Sequence, residues 1–507
     1  MRTDIFHPDF KAQPWWWEAW TPNNALSQDP PARTDVVIVG AGYGGLSTAL
    51  ELRRNGVGAV VLERGDFGIG ASTRNGGMIS GGTNLGKGLG GKSPIAEEFE
   101  RLKAELMGAG ADSLSVLEDI IAREKIECGL HRNGRFVGAW TPRHYDDLAT
   151  KVETYNKYAN AGAEMIPRER QREMIASDYY FGGMHATRAG HLHPALYYKG
   201  LLEAAHRAGA ILCAQVEAER LEKIANGWRV LTPKGPIECR EVVVATNGYT
   251  GDLTPRLKRR VVPVASHIIA TEELPEPASK LIPEMRAIGD TKRVLTYYRP
   301  SPDGTRLIFG GRARFTAAPP EVSAPALYQY MIDRFPQLDG IRITHVWTGN
   351  VAFALDYMPH MGTDQGVHYL LACNGNGVAM SLRVARTLAK AGIIVFDDIR
   401  HEHTPGVAAA AWQAVGRGEL IPFAISPHKL YTATGGVDRY SMLIREWQRG
   451  QESWQIEEQS INGHPVLRIF TDPPEGPKYS RAKRFVPEVA WPLFSWLRQR
   501  RDRVTAR

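Results

Sequence analysis

Cysteine is scarce: four in 507 residues, Cys128, Cys213, Cys239 and Cys373, widely spaced and without a C-x-x-C pair. That spacing argues against a disulfide framework or a structural zinc site, and it fits a reducing compartment. Long apolar runs are missing too. No stretch approaches the roughly 18 consecutive apolar residues of a membrane span. Residues 1–35 hold charges, prolines and tryptophans where a secretory signal would hold an apolar core. The expectation is a cytoplasmic protein. Charge of one sign is also limited. A net charge of +7 is modest at this length, and no basic stripe interleaved with aromatics marks a nucleic-acid surface. The remainder is an ordinary soluble composition, long enough for two or three domains and a large core. Glycine alone is in excess, 51 residues, which suits tight turns and close approaches of backbone.

The glycines are concentrated where they matter. Asp35–Val39 is an apolar, β-branched run that reads as a buried parallel strand. Gly40, Gly42 and Gly45 follow at G-x-G-x-x-G spacing, ahead of a helical stretch from Leu46 to Asn55. The first glycine permits the tight turn, the second lets backbone approach a diphosphate, and the third lets helix and strand pack closely. The helix N-terminus would favour the negative charge. A second strand, Ala59–Leu62, ends at Glu63, where a carboxylate can accept hydrogen bonds from a ribose. This unit predicts dinucleotide binding.

Further along, residues 64–78 and 81–91 form glycine-rich loops suited to lying against a flat ligand. Residues 95–125 read as two helices broken near Gly108 and Gly110, Asn133-Gly134 as a hairpin turn, and 142–160 as a helix. Pro194 opens another helix. His191 and His193 before it lack the companions a metal site needs and read as structural. A strand at 211–216, a meander turning at Asn226-Gly227 and Lys234-Gly235, and an apolar strand at 241–248 return the chain to the parallel sheet. Alternating stretches at 261–271, 294–299 and 306–311 predict a separate antiparallel sheet. After an apolar strand, 368–372, Cys373-Asn-Gly-Asn-Gly-Val-Ala-Met380 opens a helix to Ala391, a second positive dipole end aimed into the same region. Trp15, Trp16, Trp17 and Trp20 near the N-terminus either clamp that arm onto the body or line a substrate entrance.

Six motifs occur in one order: the nucleotide turn, Ala-Ser-Thr-Arg-Asn-Gly-Gly (71–77), Gly-His-Leu-His-Pro (190–194), Ala-Thr-Asn-Gly-Tyr-Thr (245–250), Phe-Gly-Gly-Arg (309–312) and Asn-Gly-Asn-Gly-Val-Ala (374–379). In that order the sequence resembles the FAD-dependent D-amino-acid oxidase superfamily, which includes glycine and sarcosine oxidases. It is most similar to the γ-glutamylputrescine oxidase subgroup, whose N-terminus the Trp-Trp-Trp-Glu-Ala arm also resembles. The resemblance spans roughly residues 12–415. It implies an α/β fold with an α+β substrate part: a Rossmann-like FAD-binding domain interleaved with an antiparallel-sheet substrate domain. The boundaries implied are an aromatic arm at 1–33, the FAD-binding domain at 34–92, 186–255 and 345–395, the substrate domain at 93–185 and 256–344, and a C-terminal region at 396–507.

The resemblance also assigns residues. Gly40, Gly42, Tyr43, Gly44 and Gly45 would cradle the FAD diphosphate, with Glu63 and Arg64 beside the adenosine. Ser72, Thr73, Arg74, Asn75, Gly76, Gly77 and Met78 would run along the flavin. Val216 would meet the adenine, Asn247 and Gly248 would form a second turn on the cofactor, and Asn376, Gly377, Val378, Ala379 and Met380 would cap the pyrimidine end. Neither Cys nor His occurs in the 71–78 loop for a covalent link; Cys373, just before the last motif, reads as a buried inert thiol, with attachment to the flavin as the alternative, and FAD is expected to be non-covalent. On the roof, His267, Tyr297 and Arg312 are the catalytic candidates. Tyr298, Arg299, Trp347, Phe353 and Asp356 are those for the substrate. In related oxidases a lysine supplies the positive charge near the ring; Lys292 is a nearby candidate.

The implied reaction removes a hydride from the carbon next to nitrogen of an amine or amino acid to flavin N5, the imine is hydrolysed, and oxygen becomes hydrogen peroxide. The cofactor carries the hard chemistry, so no dedicated base is needed. Two other readings stay open: a dehydrogenase that passes electrons to a quinone or protein, and a flavin-bound non-catalytic subunit. The sequence departs from the family pattern around 433–484, an insertion with a hairpin turning at Asn462-Gly463, which suggests a lid or a homo-oligomer contact. A final helix with Val489, Leu493, Phe494, Leu497 and four arginines packs on its own protein or lies on a membrane surface.

Overall fold

The computed structural model describes residues 4–83, 94–292, 295–314, 316–354, 358–390, 455–461 and 464–470. The chain divides into two units, Met1–Ala389 and Lys390–Arg507.

In the first unit, five strands run parallel, in the order Ile211–Cys213, Ala59–Leu62, Arg33–Val39, Ile237–Val244 and Val367–Leu371. Their registers are set so that Leu62 lies beside Val39, Val39 beside Val244 and Val244 beside Tyr369. The carboxyl ends therefore line up along one edge. Val36, Val37 and Ile38 are fully buried because both faces are covered. The strand order reverses at Arg33–Val39. Its next strands in sequence go to one side, and Ile237–Val244 returns on the other, which opens the crevice where such sheets bind ligands.

The second sheet has nine strands among the described residues. Their order is Phe6–Lys11, Ile343–Phe353, Val262–Thr271, Leu307–Gly311, Thr296–Pro300, Ala287–Asp290, Arg135–Gly138, Gly183–Ala186 and Ala163–Ile166. One face packs against the helix Pro320–Arg334 in a core that contains Ile269, Tyr298, Phe309, Leu327 and Met331. The other face carries Ile268, Ala270, Ile308 and Trp347, packed against Trp16.

Local signals were overruled in two places. Residues Pro94–Glu124 form one continuous helix through Gly108 and Gly110. Each glycine costs a helix about 1 kcal/mol relative to alanine, but here the bare surface is used. A Cβ on Gly82 would lie 2.8 Å from Ala111 N and 2.9 Å from Gly110 C, so the Gly81–Gly82 turn lies directly on the helix backbone. The expected hairpin at Asn133-Gly134 does not form either. Arg135–Gly138 pairs instead with Gly183–Ala186 and Ala287–Asp290, while Asn133 Nδ2 donates to Glu284 O at 2.7 Å and Met285 O at 2.9 Å. Long-range pairing took the donors that a local hairpin would have used. The helices at Pro142–Ala159 and Pro194–Arg207 follow their sequence signals; His193 caps the second, its Nδ1 accepting from Leu196 N–H at 3.3 Å.

In the second unit, Gln455–Ile461 and His464–Phe470 pair antiparallel, with Ile461 opposite His464. That is the hairpin expected around Asn462-Gly463, whose two turn residues lie outside the described residues, as do Asp356, the final helix and the rest of the insertion. Among the described residues no helix is long and apolar enough to cross a membrane.

Candidate active site

All five carboxyl ends of the parallel strands open into one cleft of about 1630 Å³, which continues under the second sheet. The glycine turn forms one end. Gly40 has φ +102°, a left-handed conformation that favours glycine. A Cβ on Gly45 would sit 1.9 Å from Gly40 O, and one on Gly44 would sit 2.2 Å from Leu370 Cδ1. Gly42 is different. Its backbone is ordinary (φ −75°, ψ −179°), and a Cβ there would meet only Ser72 Oγ at 3.2 Å. The space it leaves belongs to the cleft, over the start of the helix Tyr43–Arg54.

The side chain of Tyr43 turns away from this cradle and donates from its buried hydroxyl to Pro194 O at 3.1 Å. Its N–H points to the cleft side, donating to Ser72 Oγ at 3.0 Å. Glu63 is tied to the turn, accepting from Ala41 N–H at 3.1 Å and Gly65 N–H at 3.2 Å. Val216 N–H donates to Glu63 O at 2.9 Å, so Val216, Glu63 and the exposed Arg64 share this end.

The 71–78 loop crosses the middle and is held from behind by indole N–H groups. Trp16 donates to Asn75 O at 2.9 Å, Trp17 to Thr73 Oγ1 at 3.0 Å and Trp347 to Arg74 O at 2.8 Å. None of the four arm tryptophans lines the cleft; they clamp. Ser72, Arg74, Asn75, Gly76 and Met78 face the cleft, whereas Thr73, Gly77, Gly45, Gly248 and Trp347 stand behind it. Gly77 (φ +68°) is needed where it stands, since a Cβ would lie 2.1 Å from Leu192 O.

At the far end Asn247 spans two turns. Its Nδ2 donates to Cys373 Sγ at 3.2 Å and its Oδ1 accepts from Cys373 N–H at 3.4 Å. Asn376 through Met380 line the cleft at the start of the helix Gly377–Lys390. Asn376 Oδ1 accepts from Ser80 at 3.2 Å, while its buried Nδ2 has no partner among the described residues. A buried donor without an acceptor costs about 1–3 kcal/mol, and a carbonyl-bearing ligand in the cleft would satisfy it. The glycine cradle at one end, the orphaned amide at the other and the length between them fit an extended dinucleotide such as FAD.

Strand alternation decides which roof residues reach the cleft. Tyr297 does, with its hydroxyl 2.8 Å from Ser266 Oγ. Burial first, against the Ser266 bond and the Arg312 charge, pushes the phenol up to about 12, so it is neutral near pH 7. Arg312 and Phe353 also line the cleft, the guanidinium 4.8 Å from the ring centroid. His267, the neighbour of Ser266, points to the other face. It is fully buried, hydrogen-bonded to Thr348 Oγ1 at 2.8 Å and Thr316 O at 3.2 Å, and burial lowers its pKa. Its imidazole is therefore neutral and away from the cleft. Tyr298 likewise lies in the helix-covered core, stacked on Phe309.

Arg299 shares the face of Tyr297 but is sealed behind the 75–78 loop, donating to Leu192 O at 2.8 Å and to His191 Nδ1. Burial pulls Arg299 down to about 9; burial and then the Arg299 charge push His191 down to about 2. The imidazole is thus neutral, with Nδ1 accepting and Nε2 donating to Met285 O at 2.8 Å. Lys292 lines the cleft, its ammonium 3.2 Å from Tyr179 OH and 4.7 Å from the centre of the Trp140 ring. Ser266 and Arg135, which also line the cleft, were missed from sequence. Nothing local marked either residue; the strand register places both on the cleft face.

The sequence profile described as FAD dependent oxidoreductase (DAO) matches residues 35–391. The gamma-glutamylputrescine oxidoreductase of Escherichia coli K12 is 32% identical over 359 residues, covering 70% of this chain and 83% of that one. Two solved structures share the fold. The glycine oxidase of Geobacillus kaustophilus superposes with a TM-score of 0.60 at 20% identity, over 72% of this chain and 95% of its own. The L-proline dehydrogenase of P. horikoshii gives 0.61 at 17% identity, over 77% and 100%.

Proposed function

The chain belongs to the FAD-dependent oxidoreductase family, and from that premise we propose that it oxidises the C–N bond of an amine or amino acid, with oxygen as electron acceptor and hydrogen peroxide as a product. One observation carries this reading. A single cleft runs from the glycine turn, along all five strand ends, to a polar roof at Ser266, Tyr297 and Arg312. In this reading Gly40–Gly45 and Glu63 hold the diphosphate and ribose, the 72–78 loop lies along the ring, and Asn376–Met380 hold its pyrimidine end. When bound, FAD supplies the two-electron oxidation. The chain orients the amine, excludes water and stabilises charge. The helix start at Gly377 would turn a positive dipole end toward the bound flavin, and Tyr297 with Ser266 would offer a hydroxyl pair to the substrate. The amine would lose a hydride from the carbon next to nitrogen and a proton from its nitrogen to become an imine, which adds water and releases the nitrogen fragment, and the two electrons and two protons removed would, with FAD bound, end on oxygen as peroxide.

The direct test is spectroscopic. The purified protein should be yellow, bleach when an amine or amino acid is added without air, and regain colour with release of peroxide when air is admitted. A protein that takes up no flavin on reconstitution would overturn the reading. Bleaching that air does not reverse would assign a dehydrogenase instead.

The roof makes its own prediction. Tyr297→Phe deletes one hydroxyl bonded to Ser266, and kcat/KM should fall about tenfold, the worth of one well-placed hydrogen bond. A change under twofold in steady-state rates would exclude that hydroxyl from the reaction.

A further inference from the structure

Just past two paired strand ends the chain builds an aromatic box. Gly138 pairs with Asp290 where the parallel strands Arg135–Gly138 and Ala287–Asp290 finish, so Trp140 and Lys292, each two positions further on, emerge side by side. Thr291 locks the arrangement: its Oγ1 accepts from Trp140 N–H at 3.0 Å and bonds His144 Nδ1 at 2.8 Å. Three ring centroids lie near the Lys292 ammonium, Trp140 at 4.7 Å, Tyr330 at 5.8 Å and Tyr179 at 5.9 Å. All are inside the ~6 Å at which a ring face attracts a cation. The Tyr179 hydroxyl accepts from the ammonium at 3.2 Å, and no carboxylate pairs with it among the described residues.

Each ring has an anchor other than Lys292. Tyr179 stands edge-on to Tyr180 at 5.1 Å and lies 4.4 Å from the Arg334 guanidinium. Tyr330 is carried by the helix Pro320–Arg334, and Trp140 is tied through its backbone to Thr291. Trp140 is also 43% exposed, so the box opens to solvent. Thr291 and Lys292 line the cleft, whereas none of the three rings does. The lysine stem therefore leads from the cleft wall into the box.

The charges along the cleft show what this filling keeps out. The acidic residues of the described lining, Glu63, Glu217, Glu219 and Asp252, all belong to turns of the nucleotide-binding sheet. The roof side contributes Arg135, Lys292 and Arg312 and no carboxylate among the described residues. An ammonium far from the reacting carbon of a substrate is repelled along that wall. The aromatic box is a surface there that attracts a cation, and the protein's own cation already fills it.

We propose that Trp140, Tyr179 and Tyr330 form a cation subsite that the chain occupies with Lys292, so that the cleft turns away amines carrying a second free ammonium group. The inference rests on the amine-oxidising reading above and narrows its substrate to amines whose far end bears no positive charge.

Lys292→Ala removes three methylenes and an ammonium, the atoms of propylammonium. In calorimetry on the flavin-loaded full chain, propylammonium chloride should bind Lys292→Ala about tenfold more tightly than the wild type, the worth of a cation held against partly desolvated rings. Propanol, the same shape without the charge, should show no gain. Adding Trp140→Ala should remove the gain, and Lys292→Met, which fills the box with an uncharged chain, should lack it. In steady-state assays, kcat/KM for an α,ω-diamine relative to the monoamine of equal length should rise about tenfold in Lys292→Ala and stay within about twofold of the wild type in Lys292→Arg. Equal propylammonium affinity in the wild type and Lys292→Ala, or a gain shared by Lys292→Met or kept without Trp140, would overturn the inference while amine oxidation stood. So would an unchanged diamine ratio in Lys292→Ala. Absence of bleaching by every amine would instead remove the parent reading, and the titration, which needs no turnover, would still judge the box.

Discussion

A Gly42→Val protein should fold and bind FAD at least ~100-fold more weakly. Gly42 is the one glycine of the turn whose absent side chain is not dictated by the protein itself. Its φ of −75° suits any residue, and the only atom near a new Cβ is the hydroxyl of Ser72 at 3.2 Å, which can move by a few tenths of an ångström. Gly40, with φ +102°, and Gly45, with no room before Gly40 O, would disturb the fold if replaced. The valine methyl groups instead occupy the cradle before the helix N-terminus, where the backbone must approach the diphosphate. Forcing such groups into close contact costs about 3 kcal/mol, hence a rise in the FAD dissociation constant of at least ~100-fold. Flavin titration of the apoprotein measures this, with the thermal midpoint of the apoprotein as control. Unaltered FAD affinity in Gly42→Val would remove the turn from the cofactor site.

The second large effect is on stability. Asp290 and Arg334 pair at 2.7 Å with both side chains fully buried. Asp290 Oδ2 also accepts from Thr296 Oγ1 at 2.6 Å. Arg334 donates to Tyr180 OH at 2.9 Å and lies 4.4 Å from the centre of the Tyr179 ring. Asp290→Ala strips the carboxylate from a guanidinium that cannot reach water, and breaking such a pair typically costs about 3–5 kcal/mol. Urea denaturation should show that loss. The double variant Asp290→Ala, Arg334→Met should cost less than the sum of the singles, because the stranded charge is gone. Strict additivity would mean the two side chains do not act as a pair.

The parts of the site legible in the sequence were those in which a short segment sets its own geometry. Gly40, Gly42 and Gly45 declare a strand–turn–helix, and Glu63 follows at the end of the next strand. The residues of the roof are different. Ser266 and His267 are adjacent polar residues in a strand covered on both faces, so no polar-out pattern tells which one meets the cleft. The same holds for Tyr297 and Tyr298. Only the register with Gly310 and Gly289 shows it.

The sequence by itself determined the cofactor-binding architecture: glycines at G-x-G-x-x-G spacing, a second glycine-led helix at 374–380 and the order of motifs between them. It also determined the family, because the backbone geometry at those turns depends on residues a few positions apart. The tertiary structure alone decided the face of each roof strand, the continuity of the helix Pro94–Glu124 through Gly108 and Gly110, and the place of Arg135 in the cleft lining. Each of these depends on pairing or packing between segments tens to hundreds of residues apart. There the free energy of a long-range contact outweighs the local preference, and the local sequence carries no record of the partner.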